Sequence, residues 1–239
     1  MSPVVCTLIL AWRAFPDAPV VVAANRDESV NRPSTPPRVR DWERPALAPA
    51  DERAGGTWMG VTDTRLFVGI TNRRADGVEG ERSRGLLVRD ALEEPTADAA
   101  RDRVRAELDE HDYDGFNLVL ADADDAVRLS WDGTLTEERL DPGVHVVVNT
   151  GYAPPERAPA VRDALPPTDG DPDAWLDETK AVLRDHDVGA CVHHEDRGFG
   201  TRSSSLVRID SAGDVRFDYA DGPPCRTKYD PADDRNGHI

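Results

Sequence analysis

Lysine is almost missing from this chain: Lys180 and Lys228 are the only two among 29 basic residues, and the other 27 are arginine. Basic charge is itself in deficit, since 46 Asp and Glu leave a formal net charge of −17 and a pI near 4.7. A surface of that sign repels phosphate backbones and anionic headgroups, so no nucleic-acid partner is expected for the chain as a whole. Acid-rich, lysine-poor surfaces stay hydrated where concentrated salt screens their self-repulsion, which reads as a salt-adapted cytoplasmic protein. Cysteine is sparse as well. Cys6, Cys191 and Cys225 are an odd set that does not suit a disulfide-stapled secreted scaffold and fits a reducing compartment. Long apolar runs are absent too. None approaches the roughly 18 residues needed to span a bilayer, and no basic leader precedes an apolar stretch, so neither a membrane span nor export is expected.

What is present is 38% hydrophobic residues, falling in strand-length runs that suit a packed core rather than disorder. At 239 residues a single domain is expected over 1–220, with the polar stretch 221–239 as a frayed tail. Cys6 to Trp12 and Pro19 to Ala24 read as an opening hairpin around Pro16-Asp17. The proline-rich stretch from Ser29 to Arg53 reads as an irregular cover segment. Strands follow near Thr57 to Val61 and Leu66 to Thr71. Helical spacing from Arg84 to His111 is split by Pro95 into two helices. Phe116 to Ala121, Ala126 to Trp131 and Val144 to Val148 read as strands, Ala174 to Asp185 as a helix, and Ser204 to Ile209 with Val215 to Tyr219 as a closing hairpin. This order predicts an α+β protein with mostly antiparallel sheets, layered αββα.

Several polar groups sit at strand ends. Asn25-Arg26-Asp27-Glu28 closes an apolar strand, where an amide, a guanidinium and two carboxylates can hold one another or a ligand; an ion-pair corner of purely structural use fits the same residues. Gly55-Gly56-Thr57-Trp58 offers close backbone approach and a flat aromatic wall, or simply a hairpin start with a core tryptophan. Asn72 and Asn149 end strands and can donate to an oxyanion, although asparagine is also ordinary in turns. Thr201 and Arg202 follow glycines into a strand, and Arg202 can bind a carboxylate or phosphate or pair with Asp27. Cys191, His193 and His194 are close enough to suggest a metal. With no second ligand pair at matching spacing they read as a solvated loop, so no metal site is expected. Cys6 opens the first strand. As a first residue its thiol would have its own α-amine as base; with Met1 to Val5 ahead of it, a buried apolar cysteine is the plainer reading.

Taken together, Asn25-Arg26-Asp27-Glu28, Gly55 to Gly60, Thr71-Asn72, Arg84 to Val88, Tyr113 to Leu118 and Gly200-Thr201-Arg202 resemble, in order, the NRDE family of the transport and Golgi organisation protein. That resemblance implies a fold similar to N-terminal-nucleophile hydrolases, with two antiparallel sheets between helix layers. Members typically begin Met-Cys, and Cys6 matches that cysteine. The five preceding residues are a departure, explained either by a start at Val5 or by an internal Cys6. More distantly the pattern resembles cysteine amidases that cleave bile-salt and penicillin amides. That likeness implies Cys6 as nucleophile, Asp27 as orienter of its amine, Asn72 and Asn149 as oxyanion or substrate contacts, and Arg202 as an electrostatic partner. Asn25, Arg26, Glu28, Trp58 and Thr201 are binding candidates, with the spacing of Arg26 to Asp27 unlike that of the amidases. The family's links to haem movement and acyl-lipid metabolism imply an alternative, a haem or acyl-CoA carrier. Either way the partner is a small amide, haem or an acyl lipid, and no cofactor is required.

Overall fold

The computed structural model describes residues 6–232. They divide into two compact units, residues 6–31 with 142–231 in the first and residues 32–141 with 232 in the second. Both are built the same way, from an antiparallel seven-stranded sheet with two helices on one face.

In the first unit, β1 (Thr7–Phe15), β2 (Ala18–Ser29), β10 (Gly143–Val148), β11 (His193–His194), β12 (Phe199–Ile209), β13 (Val215–Ala220) and β14 (Asp230–Pro231) run in the order β10-β1-β2-β12-β13-β14, with β11 also on β12. Alternation along these strands turns Ile9, Ala11, Val21, Ala23 and Leu206 to one face. There they bury Val161 of α3 (Arg157–Asp163) and Trp175, Leu176 and Leu183 of α4 (Pro172–Arg184). Helix α4 starts two residues earlier than its apolar spacing suggests. The Asp171 carboxylate caps it by accepting from Ala174 N at 2.9 Å, and Pro172 is pre-set for the first turn.

The second unit holds β3 (Ser34–Arg40), β4 (Ala46–Asp51), β5 (Met59–Thr62), β6 (Phe67–Asn72), β7 (Phe116–Ala121), β8 (Ala126–Trp131) and β9 (Leu135–Arg139) in sequence order. Leu66, Val68, Leu118, Leu120 and Leu129 pack on Leu87, Val88, Ala91 and Leu92 of α1 (Arg84–Leu92) and on Ala100 and Val104 of α2 (Ala97–Glu110). Ser83 and Thr96 cap these helices through their hydroxyls, and Pro95 lies between them, as the spacing predicts.

Two expectations are corrected, and two elements had no signal in the sequence. The stretch 29–53, read as irregular, contains the β3–β4 hairpin. Its prolines are tolerated because Pro36-Pro37 fall where the register shifts between Thr35 and Arg38 on an edge strand. The buried Arg40 spans that irregularity, donating to Ala48 O, Thr35 Oγ1 and Pro36 O at 2.8, 2.7 and 3.0 Å. Strand β9 and helix α3 lacked a periodic apolar signal, since β9 is an exposed edge (Thr136 to Arg139) and only Val161 of α3 is buried. The stretch read as a frayed tail is tied down over its described part: Tyr219 and Asp218 pair with Asp230 and Pro231, and the Tyr229 hydroxyl is 2.6 Å from Ser204 Oγ. Residues 233–239 of that tail, and Met1 to Val5, lie outside the described residues.

Two glycines of the recurring motifs are there for room. A Cβ on Gly56 would come 2.2 Å from the Gly85 backbone, and one on Gly115 2.5 Å from Arg73 O. The first approach lets Thr57 N donate to Gly85 O at 3.0 Å, and the second lets Arg73 N reach Gly115 O at 3.0 Å.

Candidate active site

The candidate site is assembled at one end of the first unit's sheet, where four neighbouring strands begin or finish together. Thr7 of β1 stands opposite Val148 of β10 on one side and Asn25 of β2 on the other. Cys6 precedes Thr7 on the first of these segments, Asn149 follows Val148 on the second and Arg26 follows Asn25 on the third. On the far side of β2, Asp27 faces Thr201 and Arg26 faces Ser203, with Arg202 at the irregularity between them. Residues scattered over nearly 200 positions of sequence thus converge because strand order, not chain order, decides who meets.

Cys6 is half-buried, and its thiol donates to the Asp27 backbone carbonyl at 3.7 Å. Burial foremost, then the negative charge of Asp27, push the thiol up to about 12, against the pull of that backbone hydrogen bond and of Arg26. At neutral pH this sulfur is a thiol. It becomes a nucleophile only with a base at hand.

Asp27 is 1% exposed. Its Oδ1 accepts from the Thr201 hydroxyl at 2.6 Å, while its Oδ2 is buried without a hydrogen-bond partner among the described residues. Burial pushes this carboxyl up to about 8, opposed by the Thr201 hydrogen bond and by the Arg157 charge. The same burial lowers Arg157, which Asp27 holds up. Thr201 is locked from behind, because its hydroxyl accepts from Val192 N at 2.9 Å and its own N–H donates to Val192 O at 2.9 Å.

The remaining candidates separate. Arg26 is 7% exposed and lies 3.9 Å from Glu28 Oε2. Glu28 Oε1 accepts from Ser29 N at 2.8 Å. Arg202 is partly exposed with a buried Nε, and Asn149 is fully buried at the end of β10. Asn25, named as a binding candidate, has a structural task instead. Alternation turns it to the helix face, where Nδ2 donates to Leu183 O at 2.8 Å and Ala190 O at 2.7 Å. Trp58 and Asn72 belong to the second unit. Trp58 is partly buried and its carbonyl accepts from Ile70 N at 3.0 Å; Asn72 closes β6 opposite Phe116.

Sequence reasoning missed Arg157, whose guanidinium faces Asp27 from the start of α3, and Asn117, whose amide donates to Thr71 Oγ1 at 3.2 Å and accepts from Ser130 at 3.1 Å. Asn117 stood inside a recurring block and was passed over. Arg157 carried no signal at all. The solvated-loop reading of Cys191 is corrected: Cys191 is 1% exposed, while His194 stacks on Phe199 with ring centres 6.5 Å apart.

The family model described as Transport and Golgi organisation 2 matches residues 5–168, most of the chain. This chain belongs to that family. Among members, the Transport and Golgi organization 2 homolog of Mus musculus is 33% identical over 110 residues, covering 43% of this chain and 38% of its own length. The Bos taurus homolog is 26% identical over 239 residues, covering 83% and 84%. The matches to the mouse and human relatives thus span less than half of those proteins. In fold, this Transport and Golgi organisation 2 member is similar to a Caenorhabditis elegans N-acylethanolamine-hydrolyzing acid amidase ortholog, with TM-score 0.54 and 15% identity over 84% of this chain and 92% of the other. It is likewise similar to a variant of the conjugated bile acid hydrolase of Clostridium perfringens, with TM-score 0.54 and 8% identity over 98% and 95%. At such identities the likeness is one of fold, the N-terminal-nucleophile-hydrolase type. Among the described residues no helix is long and apolar enough to cross a membrane.

Proposed function

We propose that this protein, in a form beginning at Cys6, is a cysteine amidohydrolase acting on a small N-acyl amide. The observation that carries the reading is the pairing of Cys6 with a buried Asp27 that has one carboxylate oxygen committed to Thr201 and the other unpartnered among the described residues. A desolvated carboxylate in that state suits a cationic donor beside it, and the α-amine of a first-residue Cys6 is such a group. The two fold neighbours, titled as an acid amidase and a bile acid hydrolase, suggest the substrate class.

In this scheme the α-amine takes the Cys6 Sγ proton as the sulfur attacks the amide carbonyl carbon. The resulting ammonium passes that proton to the departing nitrogen as the C–N bond breaks, leaving a thioester on Cys6 and a released amine. Water, deprotonated by the same amine, then attacks the thioester; the C–S bond breaks and the carboxylic acid leaves. Asp27 holds the amine in place, Thr201 holds Asp27, and Asn149 beside Cys6 is the oxyanion donor from this unit. Arg26 and Arg202 favour an acyl part or leaving group carrying negative charge. The Cys6→Ala variant is expected to lose more than about 10³-fold of the amide hydrolysis of the parent while still binding substrate. Undiminished hydrolysis would remove the proposal. Binding of haem or acyl-CoA unaffected by Cys6→Ala, with no hydrolysis by either protein, would favour the carrier reading.

A further inference from the structure

Away from Cys6, the first unit gathers four soft ligands from segments distant in sequence. His186 lies in the turn after α4, Cys191 and His193 lead into β11, and Cys225 sits in the turn that follows β13. One ligand atom from each lies within 4.8 Å of the other three. His193 Nε2 is 3.2 Å from Cys225 Sγ and 3.7 Å from Cys191 Sγ, and the rings of His186 and His193 are 5.1 Å apart between centres. A tetrahedral zinc with Zn–S near ~2.3 Å and Zn–N near ~2.05 Å spans S···N edges of about 3.5 Å. These two edges bracket that value, and the remaining four are no longer than 4.8 Å, within reach of a tetrahedron through side-chain adjustment.

The donor set selects the ion. Two thiols and two imidazoles, with no carboxylate, suit zinc or a similar transition ion rather than magnesium or calcium, and four protein ligands make a closed structural site. The surroundings already hold the ligands. His186 Nδ1 is 3.0 Å from the Cys191 carbonyl; donating there leaves Nε2 with the lone pair, the usual outer contact of a metal-bound histidine. Cys191 N donates to Asp185 O at 3.0 Å, and the Cys225 turn is closed by Arg226 N and Thr227 N, each donating to Pro223 O at 3.0 Å. Arg184 Nε ties α4 to the same turn through Pro224 O at 3.1 Å.

We propose that His186, Cys191, His193 and Cys225 bind one zinc-class divalent ion that staples the 221–231 segment to the loop between α4 and β11. Binding releases the two thiol protons to solvent as both sulfurs become thiolates. The staple bears on the candidate active site through one residue: Val192, between two of the ligands, donates to the Thr201 hydroxyl, which in turn donates to Asp27. The assignment is independent of the hydrolase reading, since it rests on other side chains.

The test is titration of the full chain, purified reduced, with Co²⁺. The expected result is one equivalent bound with the visible absorption of a tetrahedral cobalt–thiolate centre, displaced by one equivalent of Zn²⁺. Cys225→Ser and the exposed-site variant His186→Ala should each weaken Co²⁺ binding more than about tenfold with unchanged circular dichroism, while Cys6→Ser leaves it intact. An octahedral cobalt spectrum, or Co²⁺ held as tightly by both ligand variants as by the parent, would overturn the site. So would a Cys191–Cys225 disulfide forming in the presence of excess Zn²⁺.

Discussion

Asp27 is held where burial works against its charge, and that has a sign that can be measured. Its folded carboxyl is raised to about 8 from an ordinary 3.8. A raised folded value means that the native state binds the proton more tightly than the unfolded chain. Its contribution to stability is therefore complete below about pH 4 and is lost as pH rises through about 8. Asp27→Asn keeps an acceptor for Thr201 and removes the charge. It is expected to raise stability at pH 8 by more than about 1 kcal/mol relative to the parent and to abolish hydrolysis; equal pH dependence of the two melting curves would show that Asp27 is not the burdened group. Cys6, Asp27, Thr201 and Arg202 drew notice in the sequence because each flanks an apolar run, and the structure gathers them at one end of the first unit's sheet. Asn25 sat in the same run and was misread, since one residue along a strand reverses the face and turns its amide to α4. Arg157 was illegible: α3 has no side-chain cap, and its meaning comes only from the Asp27 it faces.

At the level of elements, the recurring motifs of the second unit are packing instructions more than chemistry. Gly56 lets the loop before β5 lie against the start of α1 closer than any Cβ allows, while a Cβ on Gly85 across from it would come no nearer than 3.2 Å to its neighbours. Gly56→Ala is expected to destabilise the protein by about 1–3 kcal/mol, the usual range for overpacking against backbone that cannot yield. Denaturant unfolding reads this directly, and a midpoint unchanged from the parent would refute the close approach. Strand β7 was legible with its bounds and β1 with a shift of up to three residues, while β2 and β12 were read five residues short at the site end, where polar residues replace the apolar run. The β3–β4 hairpin was not, because Pro36-Pro37 signal an irregular chain when read locally. Only the pairing partner shows that the two prolines occupy a register shift at an edge. The four ligands around Cys191 escaped for a similar reason: the second pair comes from His186 and from Cys225, 34 positions further along than Cys191.

On the scale of the whole molecule, the six short blocks that carried the resemblance are shared between two sheet-and-helix units formed from separate stretches of chain, while the identity to two relatives is 33% and 26%. The blocks mark close backbone approaches and strand ends, and the apolar remainder can vary as long as its volume and alternation hold. The sequence also shows five residues ahead of Cys6, and the central claim turns on them, because without an α-amine at Cys6 the hydrogen-bond partner of the thiol among the described residues is a backbone carbonyl. The most direct measurement compares two proteins, one beginning at Cys6 and one retaining residues 1–5, each mixed with an N-acyl amide and followed by amine release and intact mass. The account predicts turnover and a transient mass increase of one acyl group on Cys6 only in the chain that begins there. Equal turnover by both chains, or none by either together with no acyl adduct, would contradict it.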